Sequence, residues 1–572
     1  MTPQEALKTY FGYESFRPLQ EEIIRSVLSG RDTLALMPTG GGKSLCFQIP
    51  ALVQEGLCLV ISPLIALMKD QVENLKKRGI QAAAIYTGMS YDKQRTALDN
   101  CQFGPYRCLY VSPERLESED FRKRLAQLPI TLIAVDEAHC ISEWGYDFRP
   151  SYLKIAEIRT ADVPILALTA TATPDVVDDI QHKLAFREKN VLKKSFARHN
   201  LSYVVRYCRD AEEKKEQLQH ILSSVQGSAI VYVRNRKRAE ELAQLLNATF
   251  YHAGLSAEER ARRQEAWKNY CSADVPLPKC SEAPSSTVNR VIVCTNAFGM
   301  GIDKPDVRLV IHYDLPDTLE QYFQEAGRAG RDEKTAYAVL LYAPEDKTKA
   351  RKRVHDNYPE KEFIATAYHK TCDFLGVGAG SGLGHSFALH IDELIQVMHL
   401  PLLQTYSALH ILSQAGYIDF EDEQETQPRV RVEVSLGDLR QYTITQEQND
   451  FLQHLLRTYP GIMTDLQYIR EEITHALHET LASLAARHIV TYIPRTRACR
   501  FTFIKERQTD IWLSPEVYEK RAAHYADKLQ HMVEYAENTQ FCRSQVLLSY
   551  FGEEDAPTCG TCDICRQSFA SR

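Results

Sequence analysis

Six short apolar runs within the first 171 residues constrain this chain more than anything else in it. DTLALMP (32–38), LCLVISP (57–63), AAAIYT (82–87), CLYVSP (108–113), LIAVDE (132–137) and PILALTAT (164–171) are apolar almost throughout. Strands with that pattern are buried on both faces, as in a parallel sheet. Amphipathic stretches such as LIALMKDQVENLKKRG separate them, giving a βαβ alternation and an α/β fold. SAIVYVRNR (228–236) and two apolar runs in NRVIVCTNAFGMGIDKPDVRLVIHYDLP (289–316) predict a second parallel sheet. At 572 residues the chain exceeds what one core can organise. Ligands of such sheets lie at the carboxyl ends of strands, and the polar motifs fall there.

MPTGGGKS (37–44) follows a predicted strand and opens a helical run. Backbone N–H groups of Thr39, Gly40, Gly41 and Gly42 can curl around phosphates, Lys43 can reach the β/γ-phosphates, and Ser44 can ligate Mg²⁺. Met37 stands where the strict pattern has glycine. A glycine-rich turn that binds nothing would share the glycines but not the strand–loop–helix setting. Asp136-Glu137-Ala138-His139 ends another strand, where an aspartate can hold Mg²⁺ and a glutamate can act on water. Thr169 and Thr171 place hydroxyls near the same sheet edge. Downstream, QYFQEAGRAGRD (321–332) offers Arg328 and Arg331, three apart and on one face if helical. Arginines from a second sheet could neutralise charge on a nucleotide clamped between the two. Trp144, Tyr146, Phe148, Arg149 and Tyr152 follow the carboxylates directly, an aromatic and basic run suited to stacking on bases.

The formal net charge is −7, so any polyanion contact must come from local clusters rather than from the whole surface. The N-terminus lacks a charged-then-apolar leader and no apolar run reaches bilayer length, so a cytoplasmic protein without a membrane partner is expected. In a reducing compartment most of the 15 cysteines read as buried small residues. Cys542, Cys559, Cys562 and Cys565 are different. Their C-x16-C-x2-C-x2-C spacing suits a closed tetrahedral Zn²⁺ site better than a redox pair.

Taken in order, these motifs resemble the RecQ family of ATP-dependent DNA helicases, over residues 1 to about 350 and again at the C-terminus. FGYESFRPLQEEII (11–24), SPLIALMKDQV, SPERL, ALTATAT, VYVRNR, VCTNAFGMGIDKPDV and QEAGRAGRD follow the family's order, and SEWGYDFRPSY matches its aromatic-rich loop. The resemblance implies two tandem RecA-like parallel-sheet lobes (1–205 and 206–350), with ATP and Mg²⁺ bound by the first. It also implies hydrolysis that drives 3′→5′ movement on single-stranded DNA and unwinding of duplex or forked DNA in recombination and repair. Arg17 and Gln20 would read adenine, Lys43, Asp136, Glu137, Arg328 and Arg331 would form the catalytic set, and Trp144, Phe148 and Arg149 would sense the strand. A double-strand translocase or a remodelling ATPase without processive unwinding is the same-fold alternative. A binding scaffold with a degenerate nucleotide site would be expected to have lost Lys43, Glu137 or the arginines.

FCRSQVLLSYFGEEDAPTCGTCDIC resembles the family's zinc-binding element, expected within residues 516–572. Many family members place a winged helix after that element. Here residues 351–515 precede it, and no winged helix or further domain is expected after it. IDELIQVMHLPLLQTYSALHILSQAGYIDF (391–420) reads as two helices and a strand, a winged-helix spacing, with a helical packing or partner-binding module as the alternative. GVGAGSGLGHS (376–386) reads as a flexible connection, and ARHIVTYIPRTRACRFTFIK (486–505) as a β-hairpin with Arg495, Arg497 and Arg500 near its turn, available to a duplex. The Pro- and Ser-rich stretch 268–287 reads as a surface insertion.

Overall fold

In the computed structural model of the chain, every residue is described except 39, 143–147, 161, 271–288, 300–303, 426–428, 435–441, 443, 460–461, 464–466, 469–470, 488, 494–496 and 571–572. The chain divides into two compact units, Met1–Ala350 with Asp527–Arg572, and Arg351–Ala526.

The six apolar runs form strands β1 (Thr33–Leu36), β2 (Leu57–Ile61), β3 (Ala82–Ile85), β4 (Cys108–Val111), β5 (Ile130–Val135) and β6 (Ile165–Thr169), joined by β7 (Val191–Lys193). They make one parallel sheet in the order β3-β4-β2-β5-β6-β1-β7. β1, β2, β4 and β6 are buried along their whole length, which explains why their sequences do not alternate. The order has a chemical consequence. β5, β6 and β1 are neighbours, so the carboxylates after β5, the threonines of β6 and the phosphate-type loop after β1 emerge side by side at one edge.

Asp32 closes this sheet from the opposite end. Its carboxylate accepts from Arg159 Nη2 at 2.8 Å, from the backbone N–H groups of Ile165 (3.0 Å) and Arg187 (2.8 Å), and from Arg187 Nε at 3.1 Å. Burial opposes its charge, but the Arg187 bonds, with those from Ile165 and Arg159, hold its pKa below the ordinary aspartate value.

A second parallel sheet contains β8 (Leu201–Tyr207), β9 (Ser228–Tyr232), β10 (Thr249–Tyr251), β11 (Val291–Cys294), β12 (Val307–His312) and β13 (Ala336–Tyr342), ordered β10-β11-β9-β12-β13-β8. The C-terminal segment packs on its β8 side. Tyr535 meets Tyr322 at 5.3 Å, Phe551 meets Phe323 at 5.0 Å, and the buried Lys528 pairs with Glu320 at 2.9 Å. All three partners lie on the helix Leu319–Ala326.

Within Arg351–Ala526, helices Ile391–Met398 and Leu402–Gln414 and strand Ile418–Glu425 follow the expected helix–helix–strand order. The expected hairpin over 486–505 does not form. Val490–Ile493 pairs with Arg429–Val432 in one sheet, whereas Arg497–Phe503 lies between Ser386–Leu389 and Ile418–Glu425 in another. The stretch 429–493 brings its own core, including Val430, Phe451, Leu455, Leu481 and Val490, so its last strand satisfies itself locally. Nor is 376–386 simply a loose tether. Gly380 N–H donates to Arg507 O, Gly384 N–H to Phe503 O, and Arg507 N–H to Ser381 O, stitching the loop to the strand end. The insertion 268–287 lies almost wholly outside the described residues.

Asp32→Ala should cost about 3–5 kcal/mol in urea unfolding of the full chain, because it leaves the Arg159 guanidinium without its carboxylate partner and two backbone donors unpaired. Since the folded pKa is lowered, this contribution is present above the unfolded aspartate value and is lost as pH falls through the folded one. A variant with wild-type stability at neutral pH would contradict this account.

Candidate active site and zinc centre

Two glycines set the shape of the loop after β1. Gly40 and Gly42 take φ of +78° and +80°, a region that side-chain-bearing residues avoid, and a Cβ on Gly42 would collide with the Gln20 amide. Gln20 is buried and donates to Gly42 O at 3.0 Å, while its own oxygen accepts from Arg17 N at 2.8 Å; Arg17 Nη1 reaches Gly40 O at 2.7 Å. These two side chains therefore fasten the loop from the N-terminal segment. Ser44 precedes the helix Leu45–Val53 and makes no capping bond with its side chain, leaving the hydroxyl for a cation. Thr39 falls outside the described residues.

Asp136 and Glu137 stand at the end of β5. Glu137 adopts φ +48°, which turns the chain sharply and lets its N–H donate to Asp136 Oδ1 at 3.0 Å. Ser62 Oγ lies 3.4 Å from Asp136 Oδ2, and Tyr152 donates its hydroxyl to Asp136 O at 3.0 Å. Burial, and then the adjacent Glu137 charge, push Asp136 up to about 6, against Lys43. Glu137 goes the other way. Burial opposes its charge, but Lys43, His139 and Arg328 outweigh burial and hold it below the usual glutamate value. Lys43 Nζ stands 3.9 Å from Glu137 Oε1, and His139 Nδ1 stands 3.4 Å from Oε2 and 2.9 Å from Thr169 Oγ1. Thr169 Oγ1 in turn donates to Thr171 O at 3.0 Å. A buried and a partly buried carboxylate with so few donors suit a divalent cation, so Asp136 with Ser44 fits Mg²⁺.

The second sheet reaches this edge through the segment after helix Leu319–Ala326. Arg328 and Arg331 do not share a helical face, as their spacing would have allowed. The helix ends at Gly327, and Gly330 turns with φ +63°. Arg328 is 4% exposed and lowers the Glu137 pKa. A Cβ placed on Gly40 would lie 3.6 Å from Arg331 Cδ, so that side chain covers the phosphate-type loop. The structure thus brings Gly40, Gly42, Lys43, Asp136, Glu137, Thr169, Arg328 and Arg331 together. Sequence reasoning missed Ser62 and Tyr152 as supports of Asp136. The serine was legible as the polar residue closing an apolar strand; the tyrosine's contact, 16 residues on, was not.

Of the aromatic run, Trp144 and Tyr146 lie outside the described residues. Phe148 has the Lys183 ammonium 5.7 Å above its ring, and Arg149 pairs with Glu114 at 3.7 Å. Tyr152 is fully buried.

The sulfurs of Cys542, Cys559, Cys562 and Cys565 all lie within 4.8 Å of one another. A regular ZnS₄ tetrahedron with Zn–S of about 2.3 Å has S–S edges near ~3.8 Å. The Cys542–Cys559 and Cys542–Cys562 separations of 3.5 and 4.0 Å bracket that edge. Backbone N–H groups of Cys559, Cys562 and Cys565 point at cluster sulfurs at 3.3–3.4 Å, which favours thiolates. The four donors fit a closed structural zinc site.

Three family profiles match the chain: DEAD/DEAH box helicase over 17–180, Helicase conserved C-terminal domain over 213–333, and RecQ zinc-binding over 500–566. Together they define a two-lobed helicase ATPase. The chain is 42% identical over 352 residues to the probable ATP-dependent DNA helicase RecS of Bacillus subtilis (strain 168), covering 60% of this chain and 67% of that protein. It is 43% identical over 354 residues to the ATP-dependent DNA helicase RecQ of the same bacterium, covering 60% and 56%. The chain belongs to the RecQ family of ATP-dependent DNA helicases. It spans between about half and two thirds of the length of these relatives. Among solved structures, S. cerevisiae Dbp5 bound to RNA and ADP BeF3 overlays with a TM-score of 0.48 at 18% identity, over 61% of this chain and 90% of that one. Among the described residues, no helix is long and apolar enough to cross a membrane.

The purified chain should carry about one zinc ion per molecule by plasma emission spectroscopy. Cys562→Ala, which removes a fully buried ligand, should lose most of that metal and unfold at lower temperature. Full zinc occupancy in the variant would remove Cys562 from the ligand set.

Proposed function

We propose that the chain hydrolyses ATP to move 3′→5′ along single-stranded DNA and to separate duplex and forked DNA ahead of it, in recombination and repair. The observation that carries this reading is the convergence of Lys43, Asp136 and Glu137 from the first sheet with Arg328 and Arg331 from the second. In this reading Arg17 and Gln20 hold the adenine, and the amides of residues 39–42 with Lys43 hold the phosphates. Ser44 and Asp136 would hold Mg²⁺, which would supply charge neutralisation for the phosphates. Glu137, kept ionised by its cationic neighbours, orients the attacking water and takes its proton. Arg328 and Arg331 offset the charge that builds on the transferred phosphoryl group. Trp144, Phe148 and Arg149 contact the strand, and Thr169 and Thr171 tie that contact to the carboxylates through His139.

The duplex-contact reading of Arg495, Arg497 and Arg500 draws little support from Arg500. Its guanidinium is already engaged by Glu421 and, at 3.6 Å, by Asp419. Helix Leu402–Gln414 contains no lysine or arginine. Arg495 and the side chain of Arg497 lie outside the described residues, so in this reading a phosphate contact falls to them or to other residues of Arg351–Ala526.

Turnover, unwinding and two variants test the proposal. ATP turnover should rise several-fold with single-stranded DNA, and a 3′-tailed duplex should be unwound where a 5′-tailed one is not; failure of DNA to stimulate turnover would defeat the motor reading. Glu137→Gln should lower turnover by roughly 10²–10⁴-fold with nucleotide still bound. Trp144→Ala should preserve nucleotide binding while flattening the DNA response, and full stimulation in that variant would exclude the loop from coupling.

A further inference from the structure

His312 and Glu325 have no part in the roles described above, yet they form a buried polar pair between the second sheet and the arginine segment. His312 ends β12 and is 1% exposed; Glu325, near the end of helix Leu319–Ala326, is 5% exposed. Their Nε2 and Oε2 atoms are 2.8 Å apart, and Gln321 Nε2 donates to the other carboxylate oxygen at 3.1 Å. A carboxylate only accepts, so Nε2 carries the proton. Nδ1 is buried and has no hydrogen-bond partner. His312 borders a polar cavity of about 80 Å³ at the carboxyl ends of β9 and β12, also lined by Arg234, Asn296, Asp314, Gln321 and Glu325.

The other faces of the ring lead toward Arg328. The imidazole stacks on Tyr232 at 5.3 Å and 17°, and Tyr322 packs against it at 4.8 Å. The Tyr232 hydroxyl donates to Phe298 O at 2.8 Å and adjoins Arg328. Glu325 precedes Arg328 by three residues across the helix end. Two neighbours of Arg328, Glu325 (whose carbonyl accepts from Arg328 N–H at 3.2 Å) and Tyr232, are thus set by His312, one by a hydrogen bond and one by stacking. A histidine kept only for packing explains neither the buried carboxylate it binds nor the second nitrogen left unpaired. Burying a carboxylate costs several kcal/mol unless it is well paired, and apolar side chains of similar volume would fill the same space at lower cost.

We infer that His312 is a positioning residue for ATP hydrolysis: with Glu325 and Tyr232 it fixes where Arg328 stands, and so how effectively that guanidinium reaches the phosphoryl group. The inference rests on the reading of Arg328 as an arginine that completes the nucleotide site. His312→Gln keeps an amide N–H near the Nε2 position and can still bind Glu325; His312→Asn is polar but too short to reach it. In the full chain with saturating oligo(dT), the asparagine variant should lose roughly 10–100-fold in kcat, the scale on which small misplacements act. Its KM for ATP and its affinity for fluorescent ADP should stay within about two-fold, and the glutamine variant should recover most of the loss. Glu325→Leu combined with His312→Asn should be no worse than the poorer single variant, since both break one device. Equal losses in the Asn and Gln variants, an unchanged kcat in the Asn variant, or a loss confined to KM or ADP affinity would each overturn the inference. Arg328→Ala separates the two levels. If it is inactive while His312→Asn is normal, only this inference fails; if it turns over ATP normally, the reading beneath it fails.

Discussion

The linker between the two sheets carries the interaction on which the rest depends. Arg198 donates to Ala329 O at 3.0 Å and Gly330 O at 2.9 Å, and lies 3.4 Å from Gly327 O; Asn200 donates to Gly330 O at 2.7 Å and Lys334 O at 2.9 Å. These carbonyls follow a helix C-terminus, where unsatisfied oxygens gather negative charge that a cation and an amide can satisfy. They also flank Arg328 and Arg331. The backbone that presents both arginines is therefore built from a segment that belongs to neither sheet.

That linker is gripped a second time from the C-terminal segment. Glu553 accepts from Ser195 Oγ at 2.7 Å and from Phe196 N–H at 2.9 Å, Lys193 donates to Phe551 O at 2.9 Å, and Asp563 accepts from Val205 N–H at 3.1 Å. Asp563 stands between two zinc-ligand cysteines and is also bound by Arg543. Asp563 therefore ties the cysteine cluster to β8, while Phe551 holds the end of β7 and Glu553 holds the linker that presents the arginine segment.

The two sheets, the phosphate-type loop, the carboxylates and the four cysteines were all legible in the sequence, because each depends on local spacing or on strands buried on both faces. The arrangement of Arg328 and Arg331 was not. A three-residue spacing suggests a helix, and only Gly327 and Gly330, with the linker pulling on their carbonyls, show that the helix has ended. The apolar run containing Val490–Ile493 and the run Arg497–Phe503 looked like a hairpin because proximity in sequence is the only pairing signal a single chain offers. Their actual partners lie up to 116 residues away, as Ser386 and Thr502 do. Tyr232 and His312 escaped for a related reason: rings at strand positions read as core, and what they touch is set by tertiary contact, just as Tyr152, read with the base-stacking run, is instead fully buried against Asp136.

One topological feature bears on how the molecule is made. The residues that seal Lys193, Ser195 and Val205 come 358 positions later in the chain. Between them lies a whole compact unit, and that unit holds a further core between two strands paired directly with each other. The chain is thus a nest of interruptions, in which the outermost contacts join the residues farthest apart in sequence. Loop-closure entropy grows slowly with length, so the final state is little penalised for that distance. During synthesis the two sheets can form early, while the linker between them waits, unsealed, until residues 551–563 have left the ribosome.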